Sequence, residues 1–454
     1  MLNDWATAID DRSARGIAAA IGRMITAGTL PTDSRLPTVR ALSRVLGVSP
    51  TTVSEAWQTL AAVGAIEARG RLGTFVRQPV GPGGPRRYRR VTEGPGHFAL
   101  DLSSGTPDPD LLPDLSRVVA RVSRQSLTSS YLDQPVLPEL DEVLRASWPF
   151  IPEDLTVVDG AMDALDRVAQ VVVRLGDRVV VEHPTFPPLL DLLEQLGVEV
   201  IGVDVDAQGM SADGLQTALL RGPSAIFLQP RAQNPTGVTM SAGRCAAIST
   251  LLAESDAIII EDDHSGDIAS RALVSVGTVW PTRTVHIRSF SKSHGPDLRL
   301  AAIGGAGHIV SAVANRRLLG PGWSSRILQA VLVDLLNDST TSAHLADARD
   351  EYARRRRLVT EVLAARGVPF TGTDGINLWI GVDQERSALI RLAAQGIGAA
   401  PGEPFMVRDD ADSLRLTVGL LNGSPEDIAV VAHRLADASG FTPDRQLVRR
   451  PGQR

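Results

Sequence analysis

Apolar and polar positions divide the chain into a short helical head, a patternless stretch and a long alternation of strands and helices. Over residues 12–28, Ile17, Ala20, Ile21, Met24 and Ile25 recur at helical spacing, with Gly28 near the end. A second helix is predicted over about 38–46, with Val39, Leu42 and Val45 or Leu46 on one face and Gly47 as its breaker. A third starts sharply: Ser49 can cap it, and Pro50 takes the first helical position, where its missing N–H costs nothing. Val53, Trp57 and Leu60 then face inward, which leaves Thr51, Thr52, Glu55 and Gln58 on or beside the outer face. A strand signal at 65–68 leads through Arg69, Gly70, Arg71, Leu72 and Gly73 to Thr74, Phe75 and Val76. Two helices separated by a three-residue turn, followed by a hairpin with two arginines at its tip, have the proportions of a helix-turn-helix with a basic wing.

Apolar periodicity disappears over 78–96, where Pro79, Gly81, Pro82, Gly83, Gly84 and Pro85 precede Arg86, Arg87, Tyr88, Arg89 and Arg90. Such a segment cannot bury enough apolar surface for a core of its own, so it reads as a tether with added attraction for phosphates. Between 155 and 310, strand-like apolar runs at 177–182, 199–203, 225–229, 257–262, 285–288 and 301–305 alternate with helical patterns at 161–173 and 241–254. Continuous rather than alternating apolar runs indicate strands covered on both faces, hence an α/β sheet. From about 330 onward a smaller domain is expected, with helices near 342–365 and 384–395 and strands near 376–382 and 414–418. The expected organisation is a head at 1–77, a linker at 78–98, a large domain at 99–330 and a small C-terminal domain at 331–454.

Composition narrows the classes. At 454 residues with 43% hydrophobic and 22% charged positions, the chain is neither disordered nor membrane-spanning, and no run of 18 apolar residues occurs. Asp4, Asp10 and Asp11 interrupt any signal-peptide core, so a cytoplasmic location is expected. Cys245, the only cysteine, excludes an internal disulfide and a cysteine-cluster metal site, and no metal is expected. Residues 1–90 hold 13 arginines against 6 acidic residues, whereas the whole chain carries −6. A basic head on an acidic body points to a polyanion-binding module on a body that avoids polyanions. Lys292 is the single lysine, the other 45 basic residues being arginine, so any chemistry that needs a lysine amine has one candidate.

That lysine follows an apolar strand, within Ser289, Phe290, Ser291, Lys292 and Ser293, with Arg299 seven residues on. Asp262 closes another strand, where α/β sheets place ligands, and Asn234, Pro235, Thr236 and Gly237 form a turn after a third. A one-residue shift would exchange Asp262 for Asp263. An amine, a buried acid, a polar turn and an anion ligand are the groups that pyridoxal phosphate requires.

Two resemblances follow from these motifs. Over about 12–77, the run Arg35, Leu36, Pro37, Thr38, Val39, Arg40, with Leu46, Gly47, Val48, Ser49 and later Gly73, Thr74, Phe75, Val76, resembles the winged helix-turn-helix of the GntR regulators. The resemblance implies binding of double-stranded operator DNA. The helix from Ser49, with Thr51, Thr52 and Gln58, would enter the major groove, Arg35, Thr38 and Arg40 would contact phosphates or base edges, and Arg71 would approach the minor groove. Over about 99–440 the chain is similar to the aminotransferase-like domain of the MocR-type GntR regulators, a pyridoxal-phosphate-dependent transferase of fold type I with a smaller α+β C-terminal domain.

That second resemblance implies imine formation at Lys292 and cofactor binding by Ala161, Met162, Phe186, Asn234, Asp262, His264, Ser289, Ser291 and Arg299. Gly105 and Arg415 would receive the carboxylate of a substrate or effector. His264 stands where the family commonly has tyrosine, Val136 where it usually has glycine, and His294 and Gly295 replace a common Leu-Ser pair. These departures weigh against a full transamination cycle. The resemblance further implies a homodimer with heads exchanged or spanning the two copies, and a small amino compound as effector. The expected function is transcriptional regulation by a protein that senses pyridoxal phosphate or an amino compound through Lys292. An active aminotransferase carrying a DNA-binding domain, or a cofactor-free scaffold, are the alternatives.

Overall fold

The computed structural model describes residues 9–26, 29–31, 33–62, 65–76, 85–92, 98–123, 130 and 132–441. The chain divides into two compact units. One comprises Met1–Arg86 with Val173–Arg178 and Asp191–Glu199; the other is the remainder.

In the head, the three predicted helices form as Ala14–Thr26, Val39–Leu46 and Pro50–Ala62, and the strands Ile66–Ala68 and Thr74–Val76 pair antiparallel as the wing. Their ends follow from local chemistry. The Thr38 hydroxyl accepts from the Ala41 N–H, Gly47 turns the chain in the left-handed conformation at φ 67°, and Ser49 Oγ accepts from the Thr52 N–H at 3.0 Å. Ile17, Ile21, Leu42, Leu46, Val53, Trp57 and Leu60 meet in one core, closed from the wing side by Ile66 and Val76. Truncating one of these leucines to alanine would cost about 2–5 kcal/mol, a large share of a small domain's stability.

The second unit is built on an eight-stranded sheet. From one edge, the order is Asp154–Val158, Ala301–Gly305, Thr284–Ser289, Ile258–Asp263, Ala225–Leu228, Arg178–His183, Glu199–Asp206 and Gly209–Met210. The central strands run parallel, and Ala301–Gly305 pairs antiparallel with both neighbours. Successive residues of these strands are buried, because helices cover the sheet. Leu215 and Ile248, from two such helices, meet Val180, Ile226 and Ile259. Ala161–Val172 packs on the strands around Thr284–Ser289.

A smaller antiparallel sheet has the order Phe370–Thr371, Asn377–Gly381, Ser413–Thr417 and Ala400–Pro401. The helices Ser339–Ala365 and Pro425–Ser439 pack beside it around Tyr352, Leu363, Leu378, Leu416 and Ile428. The helix Arg326–Asn337 runs through the expected boundary at residue 330, and its Leu332 and Leu335 pack with Leu140 and Leu144. No described helix is long and apolar enough to cross a membrane.

One element lies where the sequence shows no periodicity: Arg86–Thr92 is helical. Seven residues are too few to display a period, and Val91 finds its apolar partners, Ala400 and Phe405, over 300 residues away in sequence.

Candidate functional site

The parallel strands deliver their C-terminal ends to one cavity of about 250 Å³ in the second unit. Gly105, Ala161, Met162, Phe186, Asn234 and Asp262 line it, as do His264, Ser289, Ser291, Lys292, Arg299 and Arg415. Every body residue expected to hold the cofactor or a carboxylate thus lines one cavity.

Lys292 extends from the turn after Thr284–Ser289, and its Nζ donates to the Gly105 carbonyl at 2.5 Å. Burial pushes its amine down to about 8, and the Arg415 guanidinium acts in the same direction. About a tenth is therefore neutral, and nucleophilic, at pH 7.

Of the two adjacent aspartates, the structure puts Asp262 in the cavity wall, while Asp263 is held by Arg231 at 2.5 Å. Asp262 Oδ2 accepts from Gln229 Nε2 at 2.7 Å, and its Oδ1 is buried without a hydrogen-bond partner. Burial raises its carboxyl to about 7, aided by the charge of Asp263 and opposed by the Gln229 hydrogen bond. An acid in that state awaits a cationic or donor partner.

Gln229 organises this floor. Its backbone N–H donates to Glu182 Oε2 at 3.1 Å, and its side-chain oxygen accepts from the Asn234 N–H at 2.7 Å. Asn234 Oδ1 is left buried without a partner. Burial, with the charge of Asp262 adding to it, raises the Glu182 carboxyl to about 8. Beside them, His264 Nε2 lies 3.2 Å from Ser265 Oγ, and its buried Nδ1 has no partner. Burial, then the charge of Lys292, lowers the ring to about 4, so it is neutral at physiological pH.

At the other side of the sheet ends, the helix Ala161–Val172 opens directly after Gly160. Its first N–H groups have no partners within the helix, and its dipole favours an anion there. Arg299, left-handed at φ 50°, donates from Nη2 to the Asp159 carbonyl at 3.1 Å. A Cβ on Gly160, itself at φ 102°, would lie 2.9 Å from that nitrogen, so only glycine fits this approach. Ser289 and Ser291 line the same cavity.

Arg415 belongs to the small sheet, where Trp379 and Ala400 flank it in register. It is 4% exposed, its guanidinium sits 5.4 Å from the Phe405 ring centroid, and Nε and Nη1 have no hydrogen-bond partner. Burial pulls even this guanidinium down to about 10, with Asp101 opposing. Gly105, at φ 67°, lets the backbone approach: a Cβ there would lie 3.2 Å from Arg415 Nη1. Buried, charged and with donors to spare, this side chain is prepared for a carboxylate.

The donor set fits pyridoxal phosphate. Three polar atoms left over on Asp262, Asn234 and His264 match a ring nitrogen and a ring oxygen, and the helix start with Arg299 and two serines matches a phosphate. Gln229, Tyr88, Val91 and Phe405 also line the cavity, and sequence reasoning missed them. Only the i, i+3 pair of Tyr88 and Val91 left a trace, too short to read as a helix. Among the described residues no group of three or more His, Cys, Asp or Glu is placed to hold a metal.

In the head, Arg35, Thr38, Arg40, Ser49, Thr51 and Gln58 are exposed, and Thr52 is half-buried. The Thr38 and Ser49 hydroxyls also serve as helix caps. Arg71 lies in the turn Gly70–Leu72, and its side chain is outside the described residues. The wing's other arginine, Arg69, is engaged with Glu67 and Asp33, both at 2.5 Å.

Residues 13–76 match the family model for bacterial regulatory proteins of the gntR family, and residues 99–435 match that for aminotransferase class I and II. The vitamin B6 salvage pathway transcriptional repressor PtsJ of Salmonella typhimurium is 35% identical over 423 residues, 92% of this chain and 96% of that one. A Rhizobium meliloti protein named "Probable rhizopine catabolism regulatory protein MocR" is 28% identical, over 74% of this chain and 73% of its own. The chain belongs to the MocR-type subfamily of the GntR regulators. Like other members, this MocR-type regulator joins a GntR-type DNA-binding domain to an aminotransferase-like domain, a fold whose family depends on pyridoxal phosphate. Among solved structures, an archaeal alanine:glyoxylate aminotransferase matches 78% of this chain and 93% of its own with a TM-score of 0.69 at 24% identity, which shows the shared fold. Between the two matched regions lies the Arg86–Thr92 helix, which neither family model covers.

Proposed function

We propose that this MocR-type regulator binds operator DNA through its head, as a homodimer with exchanged heads, and senses pyridoxal phosphate or an amino acid through Lys292. The observation that carries the reading is the convergence of the chain's only lysine with three side chains that each keep one buried polar atom without a partner, an anion-binding helix start and a buried arginine in one cavity. When bound, pyridoxal phosphate supplies an aldehyde carbon for which a lysine amine and a ligand amine compete, and a ring that withdraws electrons from it.

The chain's own residues do the rest. Asp262 would keep a proton on the ring nitrogen, and Asn234 with neutral His264 would orient the ring oxygen. Phe186 would stack on the ring. Ala161, Met162, Ser289, Ser291 and Arg299 would hold the phosphate. Lys292 would supply the resident amine, and Arg415 with Gly105 would take the carboxylate of the arriving amino compound. A ligand regulates only by binding one conformation better than another, so carboxylate capture by Arg415 must favour one arrangement of the body. A dimer reading two half-sites then converts that preference into operator affinity.

The deciding experiment measures binding to DNA flanking the protein's own gene, with and without pyridoxal phosphate and L-amino acids, for native protein and Lys292→Ala. The native protein should change affinity about tenfold on addition of cofactor or amine. Lys292→Ala should bind DNA but ignore the amine. Identical DNA affinity across all conditions would remove the sensing role, and steady release of a keto acid would favour the enzymatic alternative.

A further inference from the structure

The tether between the two domain types does not stop short of the ligand site. Its helix, Arg86–Thr92, is held to the segment that carries Phe405: Arg87 Nη1 donates to the Met406 carbonyl at 2.8 Å, and Arg90 pairs with Glu403 at 2.6 Å. Val91 is 7% exposed and packs on Ala400 and Phe405, with Trp379 alongside. Tyr88 lies one helical turn from Val91, on the same face, and both line the cavity that contains Lys292 and Arg415.

The placement is at the carboxylate end. Val91 touches Phe405, over whose ring the Arg415 guanidinium sits, and Ala400 is the register partner of Arg415. Whatever binds Arg415 therefore meets the tether. Tyr88 suits this position chemically, because its ring is a rigid wall and its hydroxyl both donates and accepts. The space is tight: about 250 Å³ has to admit cofactor and amine together, less than the roughly 300–1,000 Å³ of sites for drug-sized ligands.

We propose that Tyr88 is a specificity-determining residue of the effector site, narrowing the cavity it shares with Lys292 and Arg415 so that amino acids with small side chains are selected over bulky aromatic ones. This deepens the proposed function and rests on it. It also places a ligand contact on the chain segment that leads to the DNA-binding head.

The test titrates full-length, pyridoxal-phosphate-loaded protein with L-alanine, L-leucine and L-phenylalanine, following cofactor absorbance, for native, Tyr88→Ala and Tyr88→Phe proteins. The cofactor spectrum reports that each variant is folded. Tyr88→Ala should shift the affinity ratio toward L-phenylalanine over L-alanine by about tenfold or more, while Tyr88→Phe, which keeps the wall, stays near the native ratio. A second readout is tryptic cleavage at Arg86, Arg87, Arg89 and Arg90. L-alanine should slow it in the native protein and leave Tyr88→Ala unaffected. An unchanged ratio in Tyr88→Ala, with normal cofactor and amine responses, overturns the role of Tyr88 alone. Failure of the native protein to bind pyridoxal phosphate, or to respond to any of the three amino acids, overturns the proposed function and this inference with it.

Discussion

Arg35, Arg40, Thr51 and Gln58 in the head are exposed, and under the proposed function they would meet DNA from the surface. In the body, Asp262 and Arg415 are buried, and partnerless polar atoms occur on them and on Asn234 and His264. Exposed contacts to a polyanion add up in small, salt-sensitive increments. Buried groups lacking a partner are costly until one arrives, so the body's site depends steeply on each member being present. One fold region offers a graded grip and the other a demanding fit, which is the division of labour that a regulator of fixed operator and variable ligand needs.

The largest effect that would sharpen this contrast is at Arg415. Arg415→Ala removes a buried, charge-assisted fork and should weaken binding of a carboxylate-bearing amine about hundredfold. A decarboxylated analogue of the same amine should lose little. Isothermal titration of the cofactor-loaded protein with both compounds checks this. Equal losses for the two would mean that Arg415 acts through the fold instead of through the carboxylate.

The head should respond more mildly. Arg40→Ala removes one exposed cation, so DNA affinity should fall about tenfold across operator and non-operator sequences if it contacts phosphate, with the salt dependence becoming shallower by about one unit of slope. Fluorescence anisotropy over a series of salt concentrations measures both quantities. A hundredfold loss confined to operator DNA would break the comparison, because it would show an all-or-none contact in the head as well.

The two regions also differ in how far the sequence exposed them. The helix starting at Pro50 and the strand Ile258–Asp263 were legible because their signals are local: a Ser-Pro start in one, three isoleucines in a row in the other. Lys292 was legible because no other lysine competes with it. The resemblance already picked Asp262 over Asp263, and what the sequence could not show is why its neighbour is unavailable: Arg231 has already paired Asp263. Gln229 escaped notice for a similar reason. It carries no motif, and its importance comes from touching Glu182, Asn234 and Asp262, three residues that converge only on folding. Tyr88 and Val91 were hidden by composition: the glycines and prolines at 79–85 and the flanking arginines describe an unstructured tether, and the partners that order the helix lie at 400–406.

The smallest effect concerns pH, and it separates the regions most cleanly. Burial and the Arg415 charge hold the Lys292 amine near 8 instead of its ordinary 10.5. The neutral amine is the form that attacks a carbonyl, so lowering the pH from 8 to 7 cuts the reactive fraction from about a half to about a tenth. The rate at which cofactor-free protein captures added pyridoxal phosphate, followed by stopped-flow absorbance, should therefore fall about fivefold over that interval and level off above about pH 9. An unperturbed lysine would show no plateau there and would keep accelerating beyond pH 10. Arg415→Ala, by removing a nearby positive charge, should move the inflection upward. Guanidinium groups in general keep their charge between pH 7 and 9, so DNA affinity measured without ligand should be level over that range. An inflection near pH 8 in DNA binding as well would show that Lys292 ionisation reaches the head even without an effector.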